Sequence, residues 1–161
     1  LEHKTDVAIR FGELNDSSLH ARLLCKSRLY LVASPEYLEK NGYPKTPQDI
    51  LNHPQIGFSK VSHLNTWPIK INGEKLTVRP KIKASNGETV RQMALDGLGI
   101  TCLSAFLVHQ DLKQNRLIAL FEDQIDIYEQ HIHAVYYQQE HLPKRVRLFI
   151  EFLAQKLSKY R

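Results

Sequence analysis

Residues 85–106, SNGETVRQMALDGLGITCLSAF, constrain the fold more than any other stretch. Ser85 followed three residues later by Glu88 is the capping-box pattern. In it the Ser oxygen takes one orphan N–H and the Glu reaches back to another. Val90, Met93, Ala94 and Gly97 recur at helical spacing and predict one apolar face. Gly97 suits the left-handed residue just past a helix end, with Leu98 folding back on the last turn. Residues 99–103 are short, apolar and bounded by turn signals, as a buried parallel strand is. Pattern alone fits a plain helix–strand unit as well as a ligand-binding one.

Strand and helix signals lie on both sides, with no internal repeat. Residues 6–11 read as a buried strand ending at Gly12, and residues 12–18 as a polar loop. Residues 19–33 form a long extended stretch, read as two strands broken near Lys26 and Ser27. Ser34-Pro35 and Thr46-Pro47 each open a short helix with Pro at the first helical position. Tyr37, Leu38, Ile50 and Leu51 are their expected buried residues, and Asn41-Gly42 ends the first. Residues 56–58 read as a short strand. Asn72-Gly73 between two apolar runs predicts a hairpin. A short helix over residues 107–112, a strand over 117–121 and an alternating strand over 131–137 follow. Pro143 opens the last helix, with a stripe of Val146, Phe149, Ile150, Leu153 and Leu157. Alternating strands and helices argue an α/β fold.

Composition narrows the function classes. At 161 residues, 42% apolar and 24% charged, the chain has the make-up of a globular protein with one domain or two small lobes. It lacks the run of about 18 apolar residues that a membrane helix needs. No signal-peptide pattern precedes the first strand. The net charge of +5 is spread over scattered Lys and Arg, as on a solvated surface, and not gathered into a nucleic-acid patch. Two cysteines, Cys25 and Cys102, make neither a disulfide framework nor a metal cluster. They read as small buried hydrophobes in a reducing compartment, with a thiol switch as the alternative. His131 and His133 share a strand face but have no third ligand at metal spacing. No nucleophile elbow, phosphate loop or zinc-protease helix is present.

Several segments, taken in order, resemble the effector-binding domain of LysR-type transcriptional regulators. They are DVAIRFG at 6–12, DSSL at 16–19, LVASPEYL at 31–38, TPQDI at 46–50, the Trp67 hairpin, GLGI at 97–100, Arg116-Leu117, and HLPKRVRLFIEFL at 141–153. The resemblance covers nearly the whole chain. It implies a two-lobed fold like that of periplasmic binding proteins, with two crossing strands. Lobe 1 would comprise residues 1–29 and 131–161, and lobe 2 residues 30–130. Residues 28–33 and 131–137 would be the crossings, and an effector site would lie in the cleft between lobes. The family's winged helix-turn-helix and the first part of lobe 1 have no counterpart here, so an incomplete first lobe and a fragment of a longer regulator are expected. DNA would be bound only through that absent helix-turn-helix.

Ligands of two-lobed α/β folds sit at loops after strands and at helix N-termini. The candidate effector-binding positions are therefore Arg10, Phe11, Gly12, Ser17 and Ser18 from lobe 1. Lobe 2 supplies Phe58, Ser59, Ser85, Asn86, Gly87, Glu88, Leu103, Ser104 and Ala105. Arg10 reads equally as a surface ion pair, Ser17 and Ser18 as turn residues, and Phe58 as core. The expected function is effector sensing in a cytoplasmic LysR-type regulator, with no catalytic residue, metal or cofactor. The expected partners are a small-molecule effector, anionic at the start of the 85–96 helix, and further copies of the chain: a homodimer, and a tetramer in the full-length protein. A free-standing periplasmic-type solute receptor and a small cleft enzyme are the alternatives.

Overall fold

The computed structural model describes residues 6–12, 14, 19–125, 129–137 and 142–158. The chain divides into two compact units, unit 1 of Leu1–Arg28 with Glu129–Arg161, and unit 2 of Leu29–Tyr128. Strand β2 (Leu19–Ala33) runs across the boundary at residues 28 and 29, and the chain re-enters unit 1 at Glu129, the first residue of β9 (Glu129–Tyr137).

In unit 1, β9 lies between β1 (Ala8–Phe11) and the first part of β2, antiparallel to both. The break expected at Lys26 and Ser27 does not occur. Both residues pair regularly, with His131 and Gln130, and Ser27 is fully buried. The irregularity lies earlier, where the register shifts between Leu23 and Cys25. The unit buries Leu24, Cys25, Ile132, Ala134 and Val135 on its strands, and Val146 and Ile150 on α4 (Lys144–Leu157). The expected stripe of α4 holds only in part. Phe149 is exposed, along with Leu148 and Phe152.

In unit 2, β2 is the divider. Its alternation sends Leu29, Leu31 and Ala33 into one core and Val32, with Tyr30 beside it, into another. The first core takes Tyr37 and Leu38 from α1 (Pro35–Asn41) and Ile50 from the 3-10 turn Pro47–Asn52. It also takes Trp67, Ile69 and Leu76 from the hairpin of β4 (Thr66–Ile71) and β5 (Glu74–Thr77). Asn72 and Gly73 turn that hairpin with φ of 53° and 86°, the left-handed pair its sequence demands. Ser34 caps α1 by accepting the Tyr37 N–H at 3.3 Å. Leu51, expected inside, is exposed.

The second core is built by α2 (Gly87–Leu95) and α3 (Ala105–Lys113) over β3 (Ile56–Phe58), β6 (Ile82–Ala84) and β7 (Thr101–Ser104). Val90 and Ala94, two of the predicted apolar positions of α2, are fully buried. The helix ends as expected: Gly97 has φ 73°, its N–H reaches Ala94 O at 3.1 Å, and the Leu98 N–H reaches Met93 O at 3.1 Å. The start differs. Asn86, not Ser85, is the cap, its Oδ1 accepting the Thr89 N–H at 2.9 Å. With the helix begun one residue later, Glu88 is out of reach of the cap and pairs instead with Arg91 at 2.6 Å.

The strand after α2 was expected to be parallel, and two directions meet there. β7 is antiparallel to β2, with Leu29 opposite Ser104 and Val32 opposite Thr101. Its entry residue Ile100 is bridged in parallel to Gln55, and Thr101 Oγ1 donates to Ile56 O at 2.9 Å. β3 and β6 pair in parallel, from Ile56 and Ile82 to Phe58 and Ala84. β8 (Ile118–Leu120) pairs with β2 on the far side.

A buried carboxylate joins the two helices of this core. Asp111 on α3 is fully buried, and its oxygens accept from Arg91 Nε at 2.5 Å and from Arg116 Nη2 at 2.5 Å. Burial alone would raise the Asp111 carboxyl, but the hydrogen bonds from Arg91 and Arg116 outweigh it and hold it below the usual carboxylate range.

Two measurements check this packing. Gly99 has φ 149°, and a Cβ there would run into the Pro54 carbonyl oxygen. Gly99→Ala is expected to cost at least about 3 kcal/mol in chemical denaturation, against about 1 kcal/mol for Gly73→Ala, where strain is the only cost. Asp111→Ala is expected to cost about 2–3 kcal/mol, less than a wholly buried pair, because Arg116 is half exposed and keeps its water. A carboxyl depressed in the folded state stabilises above its unfolded pKa and loses that contribution as pH falls through the folded value. Asp111→Asn should therefore flatten the acid limb of stability below about pH 4.

Candidate functional site

The carboxyl ends of β6, β3 and β7 point the same way, since β6 is parallel to β3 and β3 is bridged in parallel to the start of β7. At that edge the chain presents Ser59, Ser85 with Asn86, and Ser104, and from there α2 and α3 begin. This is the edge of an α/β sheet at which ligands collect. The Ser59 N–H donates to Ala84 O at 3.0 Å and ties the first two strand ends together. Asn65 braces the same end, donating to Phe58 O at 2.9 Å and accepting the Phe58 N–H at 2.8 Å.

Each expected site residue of unit 2 has a definite place. Ser59, Ser85, Asn86 and Glu88 are exposed at this edge, while Gly87, Ala105 and Phe58 are half-buried. The ring of Phe58 packs on the second core, and Leu103 is buried within it, so their side chains are held by packing. Ser104 is buried at the start of α3. Gly87 has a packing role: a Cβ there would stand 2.7 Å from Leu107 Cδ1 of α3. The missing side chain thus brings the first turns of α2 and α3 together. The free N–H groups of the α2 first turn carry the partial positive charge of a helix N-terminus. Asn86 already satisfies one of them, and Glu88 sets a negative charge beside the rest, partly offset by Arg91.

Arg10, Phe11 and Gly12 form a separate group in unit 1, at the end of β1. Arg10 is exposed and lies across from His133, and the Gly12 N–H donates to His131 O at 2.9 Å. Ser17 and Ser18 lie outside the described residues.

Sequence reasoning missed Asn65, Arg91, Asp111 and Arg116, which hold the site's walls. Asp111 left a trace: it falls three residues after buried Val108 on the inward side of an amphipathic helix, where a lone carboxylate needs cations. The reading also missed a cavity of about 450 Å³ on the far end of α3, walled by Tyr30, His109, Leu112, Lys113, Leu117 and Glu122. None of the expected site residues among the described ones lines it. Both cysteines are buried, and burial pushes the Cys102 thiol well up, away from thiolate chemistry. Among the described residues no group of three or more His, Cys, Asp or Glu is disposed to hold a metal ion, and no helix is long and apolar enough to cross a membrane.

Comparison with known proteins agrees with this architecture. The family profile of the LysR substrate binding domain matches residues 1–158. The HTH-type transcriptional regulator CrgA of Neisseria meningitidis is 40% identical over 159 residues, covering 98% of this chain and 53% of that protein. The HTH-type transcriptional regulator PtxR of Pseudomonas aeruginosa is 34% identical over 160 residues, 97% of this chain and 50% of that protein. The chain thus spans about half the length of the curated relatives it matches. The solved CrgA regulatory domain superposes with a TM-score of 0.88 at 40% identity, covering 98% of this chain and 78% of that one. The mixed α/β fold is the two-lobed, periplasmic-binding-protein-like fold of such regulatory domains. The chain belongs to the LysR substrate binding domain family of transcriptional regulators.

Proposed function

We propose that this chain is the effector-sensing part of a cytoplasmic LysR-type regulator, with units 1 and 2 as its two lobes and no catalytic role. DNA contact would belong to other parts of the regulator. The effector is a small molecule with an anionic group, received at the carboxyl ends of β6, β3 and β7 of unit 2. The observation that carries this reading is the convergence of three parallel strand ends on the abutting starts of α2 and α3. Polar exposed residues at those ends can hydrogen-bond a ligand, and the first turn of α2 favours an anion. The signal is the difference in effector affinity between two arrangements of the regulator.

Self-association follows from the same reading. The face of α4 that carries Leu148, Phe149 and Phe152 is apolar and exposed, a surface of the kind that partners cover. A homodimer is expected by analytical ultracentrifugation at high micromolar concentration, and a monomer there contradicts it.

The site is tested by calorimetric titration with a panel of aliphatic and aromatic monocarboxylates and their amides. Ser85 is exposed and takes no part in the cap, so Ser85→Asp adds a charge without disturbing α2. A carboxylate that binds the wild type should lose about tenfold in affinity, or about 1.4 kcal/mol, in the variant, while a bound amide should lose much less. Equal affinity of wild type and variant for that carboxylate would remove the α2 start from the site.

A further inference from the structure

The charge of the chain is unevenly spread. Residues 60–83 hold six cations, Lys60, Lys70, Lys75, Arg79, Lys81 and Lys83, and one acid, Glu74. Their net +5 equals the net charge of the whole chain, so the other residues balance to zero. In the sequence these cations look scattered, because Leu76, Val78, Pro80 and Ile82 stand between them. The fold gathers them into a row. From β5 through residues 78–81 to β6, Leu76, Val78 and Pro80 are buried and Ile82 is half-buried, while Lys75, Thr77, Arg79, Lys81 and Lys83 are all exposed. A bend at Lys81 carries the row from the first core, which holds Leu76 and Val78, to the second, against which Ile82 packs.

Two more cations extend the row. Lys70 of β4 is the direct cross-strand partner of Lys75, so both stand on one face of the hairpin. Lys60 follows Ser59, whose N–H donates to Ala84 O, and so lies at the end of β6, next along from Lys83. Both are exposed. Where the chain is extended, every second residue stands about 7 Å further on, and the row offers a cation about that often. Glu74 lies at one end, beside the hairpin turn, and Glu88, beyond the other end, pairs with Arg91 at 2.6 Å. Every exposed residue of 59–83 is polar or Gly.

We propose that this row is a docking surface for the phosphate backbone of double-stranded DNA, which it meets as charge and not as sequence. A protein partner is held through buried aromatic and apolar anchors, and a single strand through exposed aromatic rings on which its bases stack. The row has neither among its exposed side chains. A run of Lys and Arg suits a duplex, which carries a negative charge for about every 1.7 Å of its axis. Phosphate contacts of this kind position a protein on DNA without reading bases. The row therefore adds to the specific contact assigned above to other parts of the regulator and does not replace it. A domain tethered to bound DNA meets the flanking duplex at high local concentration, so contacts that are weak in isolation suffice. That use rests on the proposed function; the affinity of the row for a duplex does not, nor does it depend on the effector site.

The test is fluorescence anisotropy of a labelled duplex of arbitrary sequence, about 20 base pairs long, titrated with the chain at several salt concentrations below about 150 mM. Four phosphate contacts predict that log Kd rises with log salt with a slope of about 3.6. Replacing Lys75, Arg79, Lys81 and Lys83 together by Gln should weaken binding at least about tenfold at 50 mM salt and lower the slope to about 1. A control with the same loss of charge, Gln at Lys40, Lys45, Lys113 and Lys144, should keep the wild-type slope to within about 1. All eight side chains are exposed. If the row variant does not fold, amide shift mapping of the wild type with the duplex decides, with the largest shifts expected within residues 60–83. Equal weakening in the two variants, or shifts centred elsewhere, overturns the proposal. So does a single strand of the same length, or poly-glutamate, that binds as tightly as the duplex.

Discussion

A carboxylate without water must have its cations in place, and Asp111 imposes that condition on unit 2. Its two oxygens bind Arg91 from α2 and Arg116 from the segment that leads into β8. Moving α2 away from α3 would take Arg91 from the buried carboxylate and leave its Oδ2 without a cation, with Arg116 still on Oδ1. The network is thus better understood as fixing one arrangement of the helices than as adding net stability. Gly87 completes the constraint from the other end, since Leu107 occupies the place where its side chain would be. Charge pairing deeper along the helices and close packing at their first turns hold the strand-end edge in one shape.

That edge exists because β2 divides unit 2. Its alternating side chains feed two cores, so the strand is packed on both faces. The α2–α3 core braces that edge. The hairpin, α1 and the 3-10 turn on the other face contribute no residue to it. The proposed sensing role draws on family membership and on this geometry. The geometry adds which atoms face the edge and which, like Leu103 and Phe58, are held by packing.

Much of this was legible in the residues. Asn72-Gly73 and Gly97 marked their turn and helix end because each takes a left-handed backbone that few residues tolerate, and Ser34-Pro35 marked its helix start by supplying a cap and a preset first turn. Where two neighbours offer the same chemistry, local pattern fails. Ser85 and Asn86 are both good caps, and a shift of one residue turned a capping box into an Asn cap with a Glu88–Arg91 pair. An apolar run reports burial but not its partner's direction, so the pattern of residues 99–103 fits a parallel strand although the ladder of β7 to β2 is antiparallel. Polar Lys26 and Ser27 suggested a break, yet Ser27 is buried in an unbroken ladder. Asp111, Arg91 and Arg116 are far enough apart along the chain that only the fold brings them together.

The central claim is that the effector is received at the carboxyl ends of β6, β3 and β7. Amide chemical-shift mapping with a carboxylate that binds measures this most directly. The account predicts the largest shifts at Ser59, at residues 85–88 and at Ser104 and Ala105. Shifts gathered instead around Tyr30, Lys113 and Glu122, at the far end of α3, would contradict it.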